Sequence, residues 1–465
     1  MSLKIHNTLT GKKEDFIPIE EGKVKIYVCG VTVYDDIHMG HARSMIVFDM
    51  VVKYLRYSGY EVTHITNFTD VDDKIINRAS EAGISPLELS AGYIEEYFRD
   101  SESLGIGRAD MYPKASESMD DIISMVREIM DNGFAYEAED GSVYFSVRKV
   151  KDYGRLTHRS LDDMESSGRI AEDPMKRDQM DFAIWKSAKP GEISWDSPWG
   201  KGRPGWHIEC SAMIRSHLGD RIDIHGGGND LIFPHHENEI LQTEACTGEP
   251  LANYWMHNGM LQVKGEKMSK SLGNFFRVKE VASKYDPQTI RFYFLNTHYM
   301  SPLIYSEDAL AEASVSLKRL VNNYRDLQSR AKAGAAGSDM GEETEEARIS
   351  FRESLDDDFN SRGAIEALFV LAKKTNKAMA DNTLSSEGAE RVLSFLREAD
   401  GILGIYPSEE LSDDALDKVM QILISVRGEL RKSKQYKLAD DIRDRLTDAG
   451  IVLEDTADGV KWKRA

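Results

Sequence analysis

Two rhythms of apolar residues alternate along the first half of this chain. Residues 25–29 (Lys-Ile-Tyr-Val-Cys), 61–66 and 222–225 are short runs rich in β-branched and aromatic side chains, which predict strands. Residues 42 to about 57 place apolar side chains three and four positions apart, the period of an amphipathic helix. Strands alternating with helices predict an α/β fold, because a parallel pair needs a crossover long enough to hold a helix. Residues 112 to about 203 interrupt the alternation. They hold one strand-like run at 141–147 (Gly-Ser-Val-Tyr-Phe-Ser-Val) and leave through a Gly-, Pro- and Trp-rich stretch at 190–205, and they read as an insertion.

Beyond Tyr305 the pattern turns helical. Ser306-Glu307-Asp308 predicts a helix start, since a serine hydroxyl accepts from a first-turn amide and acids suit the positive end of the helix dipole. Residues 331–347 are small, polar and acidic and predict a flexible loop between helices. Helices are expected to resume from about residue 347 and to include the apolar run 367–372 (Ala-Leu-Phe-Val-Leu-Ala), and a bundle is their natural packing. Near the end, residues 431–446 read as a basic turn followed by an amphipathic helix, and 450–456 with 460–462 as a short hairpin. A chain of 465 residues is expected to hold about three domains.

Two strings carry candidate chemistry. His38-Met39-Gly40-His41 lies between the first predicted strand and the helix that follows it. A helix N-terminus there offers unpaired N–H groups and partial positive charge to a phosphate, and two imidazoles can donate to an α-phosphate as it becomes pentacoordinate. Lys267-Met268-Ser269-Lys270-Ser271 puts two ammonium groups between Gly265 and Gly273, where they can neutralise the β- and γ-phosphates of a departing pyrophosphate. Alone, the first string also fits a loop with incidental histidines and the second a solvated basic turn. In this order and separation they point to ATP-dependent activation of a carboxylic acid, and here the chain resembles the class I aminoacyl-tRNA synthetases. Met39 stands for the commoner Ile of the first signature, an apolar swap of similar volume.

The chain has only three cysteines, Cys29, Cys210 and Cys246, too few for a disulfide framework. Its first residues lack the apolar core of a signal peptide, and no apolar run approaches membrane-spanning length. The expectation is a reduced, cytoplasmic chain with no membrane partner. Cys29 adjoins the first signature, Cys210 ends Trp206-His207-Ile208-Glu209-Cys210, and His235 and Glu239 follow Pro234 at a spacing that shares one helix face. Two thiolates, an imidazole and a carboxylate suit Zn²⁺. From the residues alone, Cys210 also fits a buried apolar position, and His236 and Glu237 fit the exposed neighbours of a helix start.

Longer strings narrow the resemblance. Residues 28–35 (Val-Cys-Gly-Val-Thr-Val-Tyr-Asp), 67–74 (Asn-Phe-Thr-Asp-Val-Asp-Asp-Lys), 205–213 and 225–239 make the chain resemble the cysteinyl-tRNA synthetases from end to end. That resemblance implies one Zn²⁺ on Cys29, Cys210, His235 and Glu239, with Cys246 left to the core. It implies that the zinc selects cysteine through its thiolate, which serine, with a protonated hydroxyl, does not imitate. It implies ATP with Mg²⁺ as substrate, held by His38, Gly40, His41, Lys267, Ser269 and Lys270, with His38, His41, Lys267 and Lys270 catalytic. Cys29, Gly30, Thr69, Trp206 and His225 become candidate cysteine-binding residues, and Thr69, Trp206 and His225 fit a fold-supporting role equally well.

The implied organisation is a Rossmann-like catalytic domain at 1–305, with an inserted segment at about 112–203 and a signature-loop region at about 255–305. A helical bundle at 306–405 and a small mixed α/β anticodon-binding-like domain at 406–465 follow. The implied partner is tRNA(Cys), which the net charge of −20 does not favour. Residues 421–465, however, hold ten Lys and Arg against eight Asp and Glu, a local excess of +2. There the resemblance makes Arg431, Tyr436, Asp440 and Asp455 candidate anticodon contacts, with Tyr436 where relatives often carry Trp and Trp462 structural. Two competing expectations remain: a cysteine ligase with an amino-sugar acceptor, which would lack the tail, and a catalytically silent RNA-binding paralogue, which would not need both signatures. The resemblance also implies a monomer.

Overall fold

The computed structural model describes residues 2–160, 173–263, 266–267, 275–407, 413–456 and 459–464. The chain forms two compact units, Met1–Tyr406 and Pro407–Ala465. In the first unit, four parallel strands run in the order Ala252–Asn258, Ile222–Gly228, Lys23–Thr32, Glu61–Thr69. The two central strands, Lys23–Thr32 and Ile222–Gly228, pair in register at Ile26–Ile224, Tyr27–His225 and Val28–Gly226. The helix Met39–Tyr57 packs on one face, burying Ile46, Phe48, Met50 and Val51 against Ile26 and Ile224. The helix Trp206–Leu218 covers the other face, with Met213 and Ile214 against Tyr27, Ile65 and Trp255. Both faces of the sheet are therefore enclosed, which accounts for strands that read as continuous apolar runs.

Two boundaries move outward from the sequence expectation. The strand expected at 25–29 reaches Thr32, and the helix begins at Met39 because His38 caps it. The insertion folds around an antiparallel sheet of Ala135–Glu137, Val143–Phe145, Phe182–Ser187 and Gly202–Pro204. The predicted strand at 141–147 is thus three residues long; a left-handed Gly141 precedes it and a short helical turn at Val147–Lys149 follows.

Ser306 caps the helix Glu307–Ala331, its hydroxyl accepting from the Ala309 amide at 3.1 Å. The next helix starts at Gly341, six residues before the position expected, because Glu342 and Glu343 sit in its first turn, where acids are favourable. The helices Gly341–Asp356, Ser361–Ala380 and Ser386–Leu403 complete the bundle. Bundle and sheet share one apolar core: Leu310, Leu368 and Leu396 belong to the same buried cluster as Ile26. A buried ion pair, Arg291 Nη2–Asp49 Oδ2 at 2.7 Å, joins the helix Pro287–Leu295 to the helix Met39–Tyr57. The second unit pairs the helices Asp413–Lys432 and Tyr436–Asp448 with a hairpin of Ile451–Thr456 and Gly459–Arg464.

Candidate active site and metal centre

The carboxyl ends of the parallel strands face one cavity of about 680 Å³, lined among others by Cys29, Gly30, His38, His41, Trp206 and Asn258. Ligands in open α/β sheets bind at such strand ends. His38 takes an extended backbone (φ −110°, ψ 169°) as N-cap of the helix Met39–Tyr57. Its Nδ1 accepts from the His41 amide at 3.1 Å, and His41 Nδ1 accepts from the His38 amide at 3.3 Å. The two rings stack with centroids 3.6 Å apart. An imidazole nitrogen that accepts from an amide carries no proton, so the neutral rings hold their protons on Nε2. The capping box thus fixes both histidines in the tautomer that gives an Nε2–H donor at a helix N-terminus. Gly40 is required beside them, since a Cβ there would stand 2.8 Å from His38 Cε1. The helix itself is anchored by Arg43, fully buried, which donates to the carbonyls of Met260 (3.0 Å), Tyr299 (3.2 Å) and Ser301.

Cys29, Cys210, His235 and Glu239 converge from three segments so that one donor atom of each lies within 4.8 Å of all the others. Cys29 Sγ is 3.7 Å from Cys210 Sγ and 3.5 Å from Glu239 Oε1, and His235 Nε2 is 3.1 Å from the same oxygen. Two sulfurs bound to tetrahedral zinc at about 2.3 Å stand about 3.8 Å apart, and a sulfur and a carboxylate oxygen about 3.5 Å. The donor set therefore fits zinc in both chemistry and spacing. A second set, Cys29, His225, His236 and Glu239, overlaps it. It suits the ion less well. It has a single thiolate, and His225 Nε2 is occupied by Glu239 Oε2 at 2.8 Å. The favoured set leaves Glu239 Oε1 toward the other donors while His225 holds Oε2, a division that orients a ligating carboxylate.

Burial favours the neutral form of His235 and His207, the form that metal binding requires. Burial holds His235 well below the usual imidazole range and takes His207 down to about 3. Their Nδ1 atoms lie 2.9 Å apart, so one donates to the other and His207 fixes the ring of His235. Burial also pushes the Cys29 and Cys210 thiols up, and a bound cation is what reverses that order.

The reading of His236 and Glu237 as exposed neighbours is corrected: both side chains are fully buried. His236 Nε2 lies 3.3 Å from Cys29 Sγ, and its Nδ1 meets His257 Nε2 at 2.8 Å. The Glu237 carboxylate accepts from the amides of Gly154 (3.0 Å), Leu156 (3.0 Å) and Thr157 (3.1 Å), tying the insertion to the helix that carries Glu239. Removing that carboxylate strands two buried donors, the Gly154 and Leu156 amides, at a cost of about 1–3 kcal/mol each.

Three of the candidate cysteine-binding residues, Cys29, Gly30 and Trp206, line the pocket. Trp206 stacks on His235 with centroids 4.2 Å apart, and the Gly30 amide donates to Asn67 Oδ1 at 2.9 Å. A Cβ on Gly30 would collide with the Asn67 carbonyl oxygen at 1.7 Å, so only glycine fits. Thr69 and His225 do not line the cavity. Thr69 donates to Glu209 Oε2 at 2.9 Å, and His225 stacks on Trp255 with centroids 4.4 Å apart. Lys267 lies in a two-residue strand paired with 262–263, while Ser269 and Lys270 lie outside the described residues.

A tRNA synthetases class I (C) catalytic domain model matches residues 15–315, and a DALR domain model matches residues 350–406. The chain is 48% identical over 468 residues to a cysteine–tRNA ligase of Bacillus pumilus, covering 100% of both proteins. It is 49% identical to one from Geobacillus thermodenitrificans, covering 100% of this chain and 99% of that protein. The chain belongs to the cysteine–tRNA ligase family. A Mycobacterium tuberculosis methionyl-tRNA synthetase in complex with methionyl-adenylate shares the fold, with a TM-score of 0.63 and 16% identity over 85% of this chain and 93% of that one. The class I Rossmann-like fold expected from the sequence is the one observed.

In this family member the four candidate anticodon residues all lie in the second unit. Arg431 lies in the last turn of the helix Asp413–Lys432. Tyr436, 57% exposed, and Asp440, also exposed, stand four residues apart on one face of the helix Tyr436–Asp448. Asp455 pairs with Val460 in the hairpin. Sequence reasoning missed His207 and His236 as supports of the donor set, although each is adjacent to, or three residues from, a predicted ligand. Among the described residues no helix is long and apolar enough to cross a membrane.

Proposed function

We propose that this chain is a cysteine–tRNA ligase that activates cysteine with ATP and transfers it to tRNA(Cys), choosing cysteine by its sulfur. The observation that carries the reading is the convergence of Cys29, Cys210, His235 and Glu239 within 4.8 Å of one another, with Cys29 lining the same cavity as His38 and His41 and their Nε2–H donors. Held by those four residues, zinc supplies a Lewis-acidic centre for a thiolate, a ligand that a serine hydroxyl replaces poorly. Trp206 and Gly30 shape the pocket beside it.

The substrate carboxylate attacks the α-phosphate of ATP, and pyrophosphate leaves. His38 and His41 donate through Nε2 to the α-phosphate oxygens as charge builds there, while Lys267 and Lys270 act on the β- and γ-phosphates and Ser269 on the nucleotide. Donors placed in advance where charge develops are worth about 10²–10³-fold each. The 2′-hydroxyl of the terminal ribose of tRNA then attacks the acyl carbon, and AMP leaves. Mg²⁺ accompanies ATP, and no ligand for it is assigned. Residues 1–305 serve catalysis, with the insertion near the acceptor end. Residues 306–405 form the bundle, and Arg431, Tyr436, Asp440 and Asp455 contact the anticodon. We place the reaction in the cytoplasm, on a single chain.

The test is charging of a tRNA(Cys) transcript with labelled cysteine, beside a tRNA(Ser) transcript and a free amino sugar. Cysteine esterified to tRNA(Cys) alone supports the proposal. Transfer to the amino sugar, or adenylate formation with no transfer to RNA, contradicts it.

A further inference from the structure

His38 is held from a direction that neither signature string reveals. Its backbone forms an antiparallel bridge with Arg277, just beyond the second signature. The Met39 amide donates to the Phe276 carbonyl at 3.0 Å, and the Val278 amide donates to the Ile37 carbonyl at 3.1 Å. Phe275 meets the His38 ring edge-on, with centroids 5.1 Å apart. Residues 275–279 therefore lie along the turn that presents His38, hydrogen-bonded on both sides of it.

Charge reinforces the pairing. Asp36, two residues before His38, meets Lys279 Nζ at 2.7 Å and Arg277 Nε at 3.2 Å through Oδ2. Asp35 lies 3.8 Å from Arg277 Nη2 and 3.6 Å from Arg78 Nη1. The Asp36 side chain is 10% exposed, whereas those of Arg277 and Lys279 are 36% and 51% exposed. An isolated surface ion pair contributes little, but a shielded carboxylate shared by two cations on one segment restrains geometry. The apolar neighbours Ile37, Val278 and Val281, buried in the shared core, set the depth of the same contact.

We propose that Asp36 is a positioning residue for adenylate formation: by clasping Arg277 and Lys279 it fixes the extended turn from which His38 and His41 present their donors. The inference rests on the proposed function, because it assigns the two histidines to the α-phosphate. It is independent of the donor set at Cys29. The extended N-cap conformation of His38 is what lets its ring accept from the third helical residue. A turn freed to relax gives up that geometry, and with it the stacked pair. Asp36 also lines the cavity, so a direct role in substrate binding is the alternative the experiment must separate.

The experiment measures cysteine-dependent ATP–pyrophosphate exchange with full-length, zinc-loaded protein, comparing wild type, Asp36→Asn, Lys279→Arg, His38→Asn and the Asp36→Asn/His38→Asn double variant. Asparagine keeps the size of Asp36 and removes its charge. The expected result is a fall in kcat of roughly tenfold to a hundredfold for Asp36→Asn, the scale on which a misplacement of about 1 Å acts. KM for ATP and cysteine should stay within about twofold of wild type. Lys279→Arg keeps the cation and should retain wild-type kcat. In the His38→Asn background Asp36→Asn should cost nothing further, because residues acting as one unit are not additive.

Three results would overturn the inference: an unchanged kcat for Asp36→Asn, a raised KM with kcat intact, or independent effects that multiply in the double variant. A lowered melting temperature or zinc content that accounts for the loss would do the same. Absence of exchange in the wild type is a different failure, that of the proposed function.

Discussion

Cys29→Ser is expected to abolish zinc binding and to lower cysteine-dependent pyrophosphate exchange by on the order of 10³-fold or more. Discrimination built on one strong polar contact reaches about 10⁴-fold. The serine hydroxyl stays protonated and cannot replace a thiolate donor at 3.7 Å from Cys210 Sγ. The loss should grade with distance from the metal. His225→Asn removes the hydrogen bond to Glu239 Oε2 and leaves all four donors, so its effect on metal affinity should fall in the range of about 10–100-fold. Cys246→Ser should leave metal content unchanged, because Cys246 belongs to a separate cluster, with its Sγ 3.8 Å from the Met125 carbonyl oxygen. Zinc content by metal analysis and exchange rates on the same preparations check the series. Full zinc occupancy in Cys29→Ser would contradict the assigned donor set.

His41→Asn is expected to fold normally and to slow adenylate formation by about 10²–10³-fold, with KM for cysteine little changed. The capping box makes this substitution informative. An asparagine carbonyl oxygen stands near the position of Nδ1 and can still accept from the His38 amide, whereas nothing replaces the Nε2–H. His41→Gln also keeps the cap, because a glutamine at the third helical position accepts from the N-cap amide through Oε1, and its side-chain NH₂ remains a donor. It should keep more of the rate than His41→Asn, with a melting temperature close to that of wild type. Single-turnover adenylate formation separates the two, with thermal melts to check that both keep the cap. Equal rate losses in both variants would show that the ring as a whole, rather than its Nε2 donor, is what matters.

The strand–turn–helix at residues 25–57 was legible because its chemistry and its periodicity lie in one continuous stretch. An apolar run, a glycine between two histidines and a helical period together place a helix N-terminus at the end of a strand. The donor set was legible only as four residue types. Its convergence depends on the parallel registers that bring Val28 opposite Gly226, and on a helix start at Glu237 that the sequence marks only by Pro234. His236 and Glu237 were misread for a physical reason. A polar string such as His-His-Glu-Asn-Glu looks solvated, yet the helix Glu237–Thr247 is buried nearly all round. The Glu237 carboxylate is satisfied by partners about 80 residues away, the Gly154, Leu156 and Thr157 amides. No local period encodes such a contact.

The helix Gly341–Asp356 was expected, but its start was placed six residues late by the opposite error. Gly334, Gly337 and Gly341 with a run of acids resemble a loop, but the acids fall on the helix N-terminus, where they stabilise it. Asp36 carried no signal in the sequence, because the cations that hold it, Arg277 and Lys279, are some 240 residues away.

The most direct test of selection by sulfur is to load the protein with Co²⁺ in place of zinc and follow the thiolate-to-metal absorption while cysteine or serine is added. Cysteine should add a further thiolate band at a ratio of one per chain, serine should leave the spectrum unchanged, and Cys29→Ser should lose the starting spectrum. A spectrum indifferent to cysteine in protein that still activates it, or an equal response to serine, would contradict selection at the Cys29, Cys210, His235 and Glu239 site.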